Sequence, residues 1–292
     1  MPPHAHNPLL LATAIEAVVQ AGARQLSHAR HAFRVEKKGP IDLVTEVDVR
    51  VEAAFRASIA ERFPDHAVLG EEMGHGQAGM RHDDVTDDRR PSTDDGRYRW
   101  VFDPLDGTTN YAHGLPIFCA SLALEIDGRV QVAAVYDPSR RELFTAERGG
   151  GAFLNGRSIR VSSALTLIDA VLVTGFPYDV HVRLDEIVGL FARFVGKGRA
   201  VRRLGSAALD LCYVAAGRMD GFWEQGLKPW DVAAGLLLVE EAGGCVTTYE
   251  GSAFSAYSDR IVASNGHIHD QMLDVIRAGS QDPPLPSSQK QD

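Results

Sequence analysis

The sequence predicts an α+β fold in which helices and sheets form layers around a shared core. From 118 to 161, apolar runs are separated by short turn sequences such as D-G and D-P-S-R, a pattern typical of an antiparallel meander. After residue 168, short apolar runs alternate with stretches of helical periodicity. Neither a repeat nor an obvious linker divides the sequence, so we expect the two patterns to pack together.

Helices are expected before the meander. Apolar residues at helical spacing run from about 8 to 30, and a second helical stripe follows I-D-L-V-T-E-V-D at 41–48 and ends at F-P-D. A short strand is expected over 66–70, directly before Glu71. The polar, charge-rich stretch 74–99 predicts a mobile loop.

The second half is predicted as alternating strands and helices. We expect strands over 171–174, 200–204, 221–224, 246–248 and 261–263, and helices over 185–194, 207–216, 232–242 and on to about 278. The tail at 279–292 is polar and proline-rich, which predicts disorder.

Composition narrows the function. The 292 residues carry a net charge of −9 and are 45% hydrophobic, which disfavours a general nucleic-acid or membrane-surface binder. An anionic substrate would need a local positive charge, which a metal ion can supply. Three widely spaced cysteines without a C-x-x-C pair indicate buried thiols in a reducing compartment. With no signal peptide and no apolar span, the sequence predicts a cytoplasmic protein.

The most informative stretch is W-V-F-D-P-L-D-G-T-T-N-Y at 100–111. Pro104 restricts the backbone directly after the predicted strand, so Asp103 and Asp106 can converge on one point together with the carbonyl of Leu105. Two carboxylates and a carbonyl are the hard oxygen ligands that Mg²⁺ prefers. The alternative is a turn whose aspartates only cap backbone N–H groups.

A possible oxyanion site follows at once. Gly107 allows a close backbone approach, and the N–H groups of residues 107–109 would open the next helix, a position suited to phosphate. Three further acids could join the pair. Glu71 ends a strand, whereas Asp48 and Asp231 each begin a helix, where an acid is also unremarkable. Spacing alone leaves open whether these acids meet.

Four motifs together resemble the inositol monophosphatase family of metal-dependent, lithium-sensitive phosphatases. They are D-L-V-T-E-V-D at 42–48, G-E-E at 70–72, the stretch 100–111, and P-W-D-V-A-A-G at 229–235. The resemblance implies a layered αβαβα fold like that of fructose-1,6-bisphosphatase, a homodimer and Mg²⁺. It also implies one phosphatase domain over 1–278, with an antiparallel half at about 8–165 and an alternating half at about 166–278.

The resemblance also implies roles for individual residues. Asp48, Glu71 and Thr108 correspond to the catalytic residues, with Asp48 and Thr108 orienting the attacking water. The implied metal ligands are Glu71, Asp103, Leu105 through its carbonyl, Asp106 and Asp231. The implied substrate contacts are Lys37, Leu105, Asp106, Gly107, Thr108, Gly205, Ser206, Ala207, Glu224 and Asp231.

The same family guides the choice of alcohol. Thr109 gives D-G-T-T-N, which resembles the inositol branch, whereas the histidinol-phosphate and phosphoadenosine branches show D-G-T-K. We therefore expect hydrolysis of inositol 1-phosphate, with fructose-1,6-bisphosphatase or histidinol-phosphate phosphatase activity as alternatives. Some bacterial relatives also bind transcription machinery. The basic run K-G-R-A-V-R-R at 197–203 keeps that regulatory class open, although an exposed turn and strand explains it more simply.

Overall fold

Two long helices cover one face of the first sheet. The computed structural model describes residues 7–29, 35–37, 43–77 and 97–279. Helices α1 (Pro8–Ala29) and α2 (Glu46–Arg62) lie where the apolar spacing predicts them. Each buries a stripe at three- to four-residue steps, formed by Leu10, Ala14, Val18 and Ala21 in α1 and by Val47, Val51, Phe55 and Ile59 in α2.

The first sheet contains the predicted meander. Its described strands are β3 (Ala67–Gly70), β4 (Gly74–Gln77), β5 (Tyr98–Asp106), β6 (Cys119–Ile126), β7 (Arg129–Asp137), β8 (Glu142–Glu147), β9 (Gly151–Leu154) and β10 (Arg157–Ser158). They are ordered β10-β9-β8-β7-β6-β5-β3-β4. Strands β5 to β10 are consecutive and antiparallel, whereas β3 is parallel to β5. A separate hairpin of β1 (Val35–Lys37) and β2 (Leu43–Thr45) precedes α2.

The prediction of a loop over 74–99 is wrong at both ends. Strand β4 occupies its start and pairs with β3, and β5 begins at Tyr98. Strand pairing uses backbone N–H and C=O groups, so even a polar, glycine-rich sequence can add to a sheet edge. Residues 78–96, the remainder of the predicted loop, lie outside the described residues.

The second half alternates as expected. Its strands are β11 (Val171–Thr174), β12 (Ala200–Arg202), β13 (Gly221–Gln225), β14 (Cys245–Thr247) and β15 (Arg260–Ser264), ordered β12-β11-β13-β15-β14. The remaining helices are α3 (Thr108–Ala112), α4 (Leu184–Val195), α5 (Ala207–Ala215), α6 (Pro229–Glu241) and α7 (His269–Gly279). Helix α6 starts three residues before the predicted 232, because proline suits the first turn of a helix.

These elements stack in five layers. Helices α1 and α2 pack on the outer face of the first sheet, α5 and α6 fill the space between the sheets, and α4 and α7 cover the second sheet. Alternation along β13 connects two of the cores: Phe222 faces the central helices, and Trp223 stacks on Phe194 of α4 at 3.9 Å. The predicted α+β, αβαβα architecture is confirmed.

Three sequence expectations have separate outcomes. The division into one domain with halves meeting near 165 stays a prediction, although β10 and β11 flank that point. The predicted disordered tail lies, from residue 280 onward, outside the described residues. Of the helices that the structure describes, none combines the length and the apolar character needed to cross a bilayer.

Candidate active site

A bulge at the end of β5 shapes the centre of the candidate site. Strand β5 continues to Asp106, three residues beyond the predicted end at Asp103. Asp103 pairs with Ser121 and Asp106 with Cys119, so three steps on β5 face two on β6. Oδ1 of Asp103 accepts a hydrogen bond from the Leu105 N–H at 2.9 Å. The bulge allows both aspartates to turn towards one region.

Glu71 and Asp231 approach the same region. Because β3 is parallel to β5, Glu71 leaves the sheet beside Asp103, and its N–H donates to the Phe102 carbonyl at 3.3 Å. Burial raises the pKa of Asp103 well above its usual value, and the charges of Glu71, Asp106 and Asp231 raise it further. The charges of four acids from three separate parts of the sequence therefore act on one another.

Asp106 connects this acid cluster, formed by Glu71, Asp103, Asp106 and Asp231, to α5. Its Oδ2 accepts hydrogen bonds from the Ser206 hydroxyl at 2.6 Å and the Ala208 N–H at 2.8 Å. Burial raises the pKa of Asp106 to about 6, although these two donors oppose the shift. The backbone at Gly205 to Ala207 therefore lies directly beside the acids, and the Ser206 hydroxyl already has a protein partner.

Asp231 combines two functions that the sequence presents as alternatives. It lies in the first turn of α6, where its Oδ2 accepts a hydrogen bond from the Lys228 N–H at 2.8 Å and so caps the helix. Burial raises the pKa of Asp231 well above the usual range, and the charges of Asp106, Glu71 and Glu224 raise it further. A helix-capping acid is therefore also a member of the acid cluster.

The acid cluster fits a divalent cation by its chemistry. Among the residues that the structure describes, no three His, Cys, Asp or Glu side chains already stand in the close arrangement of a completed metal site. The oxygens that the cluster offers are hard ligands, and the buried carboxylates raise one another's pKa values. A bound Mg²⁺ would offset this repulsion, with the buried Leu105 carbonyl as a further ligand.

The segment after Asp106 requires glycine. Gly107 has a φ of +91°, and a Cβ there would lie 2.8 Å from the carbonyl oxygen of Ile117. Thr108 follows as the first residue of α3, and its hydroxyl donates to the Leu105 carbonyl at 2.9 Å. Asp48 is buried in the first turn of α2, and its charge adds to burial in raising the pKa of Tyr111 to about 12.

Glu224 lies on β13 near the acid cluster. Its carboxylate packs so closely on Gly175 that a Cβ at that glycine would overlap both oxygens. Burial raises the pKa of Glu224 to about 8, while the Arg203 guanidinium lowers it and the charge of Asp106 raises it. Lys37 ends β1 and pairs through its backbone with Leu43; its side chain lies outside the described residues.

Comparison with known proteins gives the family. A model of the inositol monophosphatase family matches residues 7–281. The chain belongs to the inositol monophosphatase family. The protein named inositol-1-monophosphatase from Synechocystis sp. is 43% identical over 272 residues, which cover 93% of this chain and 90% of that protein. The predicted class of enzyme, a phosphoric monoester hydrolase, is confirmed.

Two further relatives of this inositol monophosphatase family member are informative. Nus factor SuhB from Pseudomonas aeruginosa is 45% identical over 258 residues, which cover 88% of this chain and 89% of that protein. The solved structure of inositol monophosphatase from Anabaena (Nostoc) sp. superposes with a TM-score of 0.80 at 41% identity. It covers 95% of this chain and 98% of the other chain.

Sequence reasoning missed two polar residues at this inositol monophosphatase site. The side-chain nitrogen of Asn110 lies 2.9, 2.8 and 3.2 Å from the carbonyl oxygens of Ile117, Leu204 and Gly205, so it ties α3 to the loop before α5. Asp210 is 1% exposed, and neither carboxylate oxygen has a hydrogen-bond partner among the described residues. An asparagine directly after D-G-T-T, and an acid inside an apolar helix, were the available signals.

The acid cluster predicts that the metal-free protein loses stability as pH rises. Folding raises the pKa of Asp106 from 3.8 to about 6, so the folded state holds this proton more tightly. The stabilisation is complete below about 3.8 and is lost as the pH rises through about 6. In EDTA, the melting temperature should therefore fall as the pH is raised from about 3.8 to about 6. The expected decrease is about 2–4 °C for each kcal/mol of stability lost.

Saturating Mg²⁺ provides the matched condition for this measurement. Bound cations would compete with protons for the same carboxylates, so the slope of melting temperature against pH should flatten. Equal slopes with and without Mg²⁺ would contradict the clustering of these acids around a cation.

Proposed function

We propose that this protein is a Mg²⁺-dependent phosphatase that hydrolyses inositol 1-phosphate to inositol and phosphate. The observation that supports it most is that the charges of Glu71, Asp103, Asp106 and Asp231 act on one another in a site where Asp103 is buried and the other three acids are half-buried. A protein that only bound a partner would not need buried carboxylates that repel one another.

The acids and one carbonyl would hold the metal. Glu71, Asp103, Asp106, Asp231 and the Leu105 carbonyl are the proposed ligands, with Glu71 on the side of the attacking water and Asp231 on the side of the leaving alcohol. When bound, Mg²⁺ lowers the pKa of water and offsets negative charge on the phosphate and the leaving oxygen. The short hydrogen bonds from Ser206 and Ala208 keep Asp106 oriented before a cation arrives.

Water is the proposed nucleophile. The Thr108 hydroxyl donates its hydrogen bond to the Leu105 carbonyl, so its oxygen can accept a hydrogen bond from a water molecule. The buried Asp48 is the proposed partner in this orientation. Cys119 lies with its sulfur 3.8 Å from Asp106 Oδ2, but burial raises the pKa of its thiol well above the usual value. It therefore stays protonated and is a poor nucleophile.

The phosphate and the alcohol would contact different groups. We place the phosphate against the backbone of Gly107 and Thr108 and the alcohol against residues 205–207 and Glu224; Lys37 is a further phosphate contact that the family resemblance implies. Asn110 supports this division, because it holds Leu204 and Gly205 against α3. Ionised Glu224 can accept hydrogen bonds from ring hydroxyls of a polyol.

Phosphate release from a panel of substrates tests the proposal. Purified protein is assayed with and without Mg²⁺ on inositol 1-phosphate, fructose 1,6-bisphosphate, histidinol phosphate and 3′-phosphoadenosine 5′-phosphate. We expect inositol 1-phosphate to give the highest kcat/KM. A preference for fructose 1,6-bisphosphate or histidinol phosphate would establish the alternative substrates, and turnover unchanged in EDTA would reject the metal mechanism.

Lithium inhibition follows from the resemblance and from the size of the ion. Li⁺ is close to Mg²⁺ in radius but carries half its charge, so on the leaving-group side it could replace Mg²⁺ without supporting catalysis. At subsaturating Mg²⁺, millimolar Li⁺ should reduce turnover of inositol 1-phosphate. NaCl at the same ionic strength is the control, and equal effects of both salts would argue against a specific lithium site.

The similarity to Nus factor SuhB supports a second candidate function, a regulatory protein that binds transcription machinery. The basic run at 197–203 contains the edge strand β12, and Arg202 and Arg203 are exposed. Pull-down of purified RNA polymerase by the protein, at several salt concentrations, measures this function separately from turnover. Binding without any Mg²⁺-dependent turnover would make the regulatory function the main one.

We also propose a cytoplasmic homodimer. Its cysteines are unpaired, as the sequence predicts for a reducing compartment, although Cys245 is half-buried where a buried thiol is expected. Four apolar side chains near the start of α4 are exposed, and Val182 is the most exposed of them, at 74%. The others are Tyr178, Leu184 and Val188, and together they offer a surface that a second copy of the chain could cover. Sedimentation velocity would measure the state directly.

A further inference from the structure

The turn that carries Glu71 rests on a buried carboxylate from α2. Glu52 is fully buried, and its Oε2 accepts a hydrogen bond from the Glu72 N–H at 2.8 Å. Its Oε1 accepts one from the Met73 N–H at 3.2 Å. One side chain thus binds two successive amides, that of the last residue of the G-E-E motif and that of the residue after it.

Arg56 holds this carboxylate in place. Its Nε and Nη2 each lie 2.9 Å from Glu52 Oε1, one helical turn along α2. Its Nη1 donates to the carbonyl oxygen of Val68 on β3 at 3.3 Å. The pair therefore connects α2 both to the strand before Glu71 and to the turn after it, and the guanidinium balances the charge of the carboxylate.

Gly70 leaves the space that this arrangement requires. A Cβ at Gly70 would overlap the carboxylate group of Glu52. The turn can lie against Glu52 only because residue 70 has no side chain. The glycine of the G-E-E motif thus has a packing reason, although it is not in a left-handed conformation.

Both peptide groups next to the Glu71 Cα are consequently fixed. The peptide before it donates from the Glu71 N–H to Phe102, and the peptide after it donates from the Glu72 N–H to Glu52. Two fixed peptide planes determine the φ and ψ of the residue between them. The direction in which the Glu71 side chain leaves the backbone is therefore set from α2 and β5.

We propose that Glu52 is a positioning residue that orients Glu71 towards the metal. This inference rests on the proposed function of Glu71 as a metal ligand. Glu52 touches neither substrate nor metal. It acts by holding the turn, so that Glu71 needs no reordering when the cation binds. Losing such an outer partner of a metal ligand lowers metal affinity by about 10- to 100-fold.

Glu52→Gln tests the inference, because an amide keeps the volume but puts N–H groups where an acceptor is needed. We expect an increase of about tenfold in the Kd for Mg²⁺, measured by calorimetry on the metal-free protein, and in the Mg²⁺ concentration for half-maximal activity. At saturating Mg²⁺, kcat should largely recover.

Glu125→Gln is the matched control. Glu125 of β6 forms an ion pair with Arg99, which lies near the start of β5 and so at the opposite end of that strand from Asp103. The two side chains of this pair are about as buried as those of Glu52 and Arg56. The Glu125→Gln variant should have a lower melting temperature, because the substitution breaks a buried ion pair. Its Kd for Mg²⁺ and its half-maximal Mg²⁺ concentration should stay within about twofold of the wild-type values, because the turn at Glu71 is not touched. Unchanged constants in Glu52→Gln, or equal shifts in both variants, would overturn the inference.

Gly70→Ala provides a second, independent variant. Its Cβ would displace the Glu52 carboxylate, so we expect a similar weakening of Mg²⁺ binding of about tenfold. In a Glu52→Ala background there is no carboxylate for the Cβ added at residue 70 to overlap. Gly70→Ala should then weaken Mg²⁺ binding by less than about a further twofold. Equal effects in both backgrounds would overturn the inference. If the wild-type protein neither binds Mg²⁺ nor needs it for turnover, the proposed function itself fails.

Discussion

Asp103→Asn should abolish turnover and leave the fold intact. Asparagine keeps an oxygen for the hydrogen bond from the Leu105 N–H, and it removes one of four mutually repelling charges. Losing a ligand charge removes several kcal/mol of transition-state stabilisation, and about 4 kcal/mol corresponds to a thousand-fold loss of kcat. The measurement is kcat for inositol 1-phosphate across a Mg²⁺ titration, with circular dichroism to check the fold.

Asp137→Asn is the matched control for this variant. Asp137 is also fully buried at the end of a strand of the first sheet. As in Asp103, its Oδ1 accepts a hydrogen bond from the N–H of the residue two positions later, here Ser139 at 2.8 Å. Losing its ion pair with Arg140 should reduce stability and leave kcat unchanged. Near-normal activity of Asp103→Asn at low Mg²⁺, or equal losses in both variants, would contradict Asp103 as a metal ligand.

Glu224→Gln should separate recognition of the alcohol from chemistry at phosphorus. Losing a charge-assisted hydrogen bond costs about 1.5–3 kcal/mol, a loss of roughly ten- to a hundred-fold in kcat/KM for inositol 1-phosphate. p-Nitrophenyl phosphate has no ring hydroxyls to bind, so its kcat/KM should be nearly unchanged. Equal losses on both substrates would mean that Glu224 supports the acid cluster or the fold.

The pH dependence gives Glu224 a second signature. Burial raises its pKa to about 8 in the metal-free protein, and a cation bound beside Asp106 would lower it. In the presence of Mg²⁺, ionisation at this lowered pKa converts the carboxyl group into an acceptor, so the preference for inositol 1-phosphate over p-nitrophenyl phosphate should increase with pH below about 8. Glu224→Gln should lack this increase. An identical pH profile of the preference in both proteins would contradict the proposed function of Glu224.

Local patterns in the sequence were sufficient for most of the fold. Apolar runs separated by turn sequences predicted the meander, and helical periodicity predicted α1, α2 and the helices of the second half, because these signals arise from neighbours a few residues apart. The predicted loop over 74–99 was wrong at its ends. Strand β4 forms there because its backbone pairs with β3, and not because its own sequence is hydrophobic. Pairing with a strand elsewhere leaves no such local pattern.

For the site, the sequence determined the chemistry, and the tertiary structure decided the geometry. The motif around Asp103 and Asp106 already indicated hard oxygen ligands, and the order of four motifs indicated the family. Whether Glu71 and Asp231 join them depended on the parallel pairing of β3 with β5 and on the packing of α6 between the sheets. Glu52 left no recognisable signal, because an acid four residues before an arginine is ordinary on a helix. Its contact with the turn at Glu72 arises only when α2 packs on the sheet, so no local pattern could predict it.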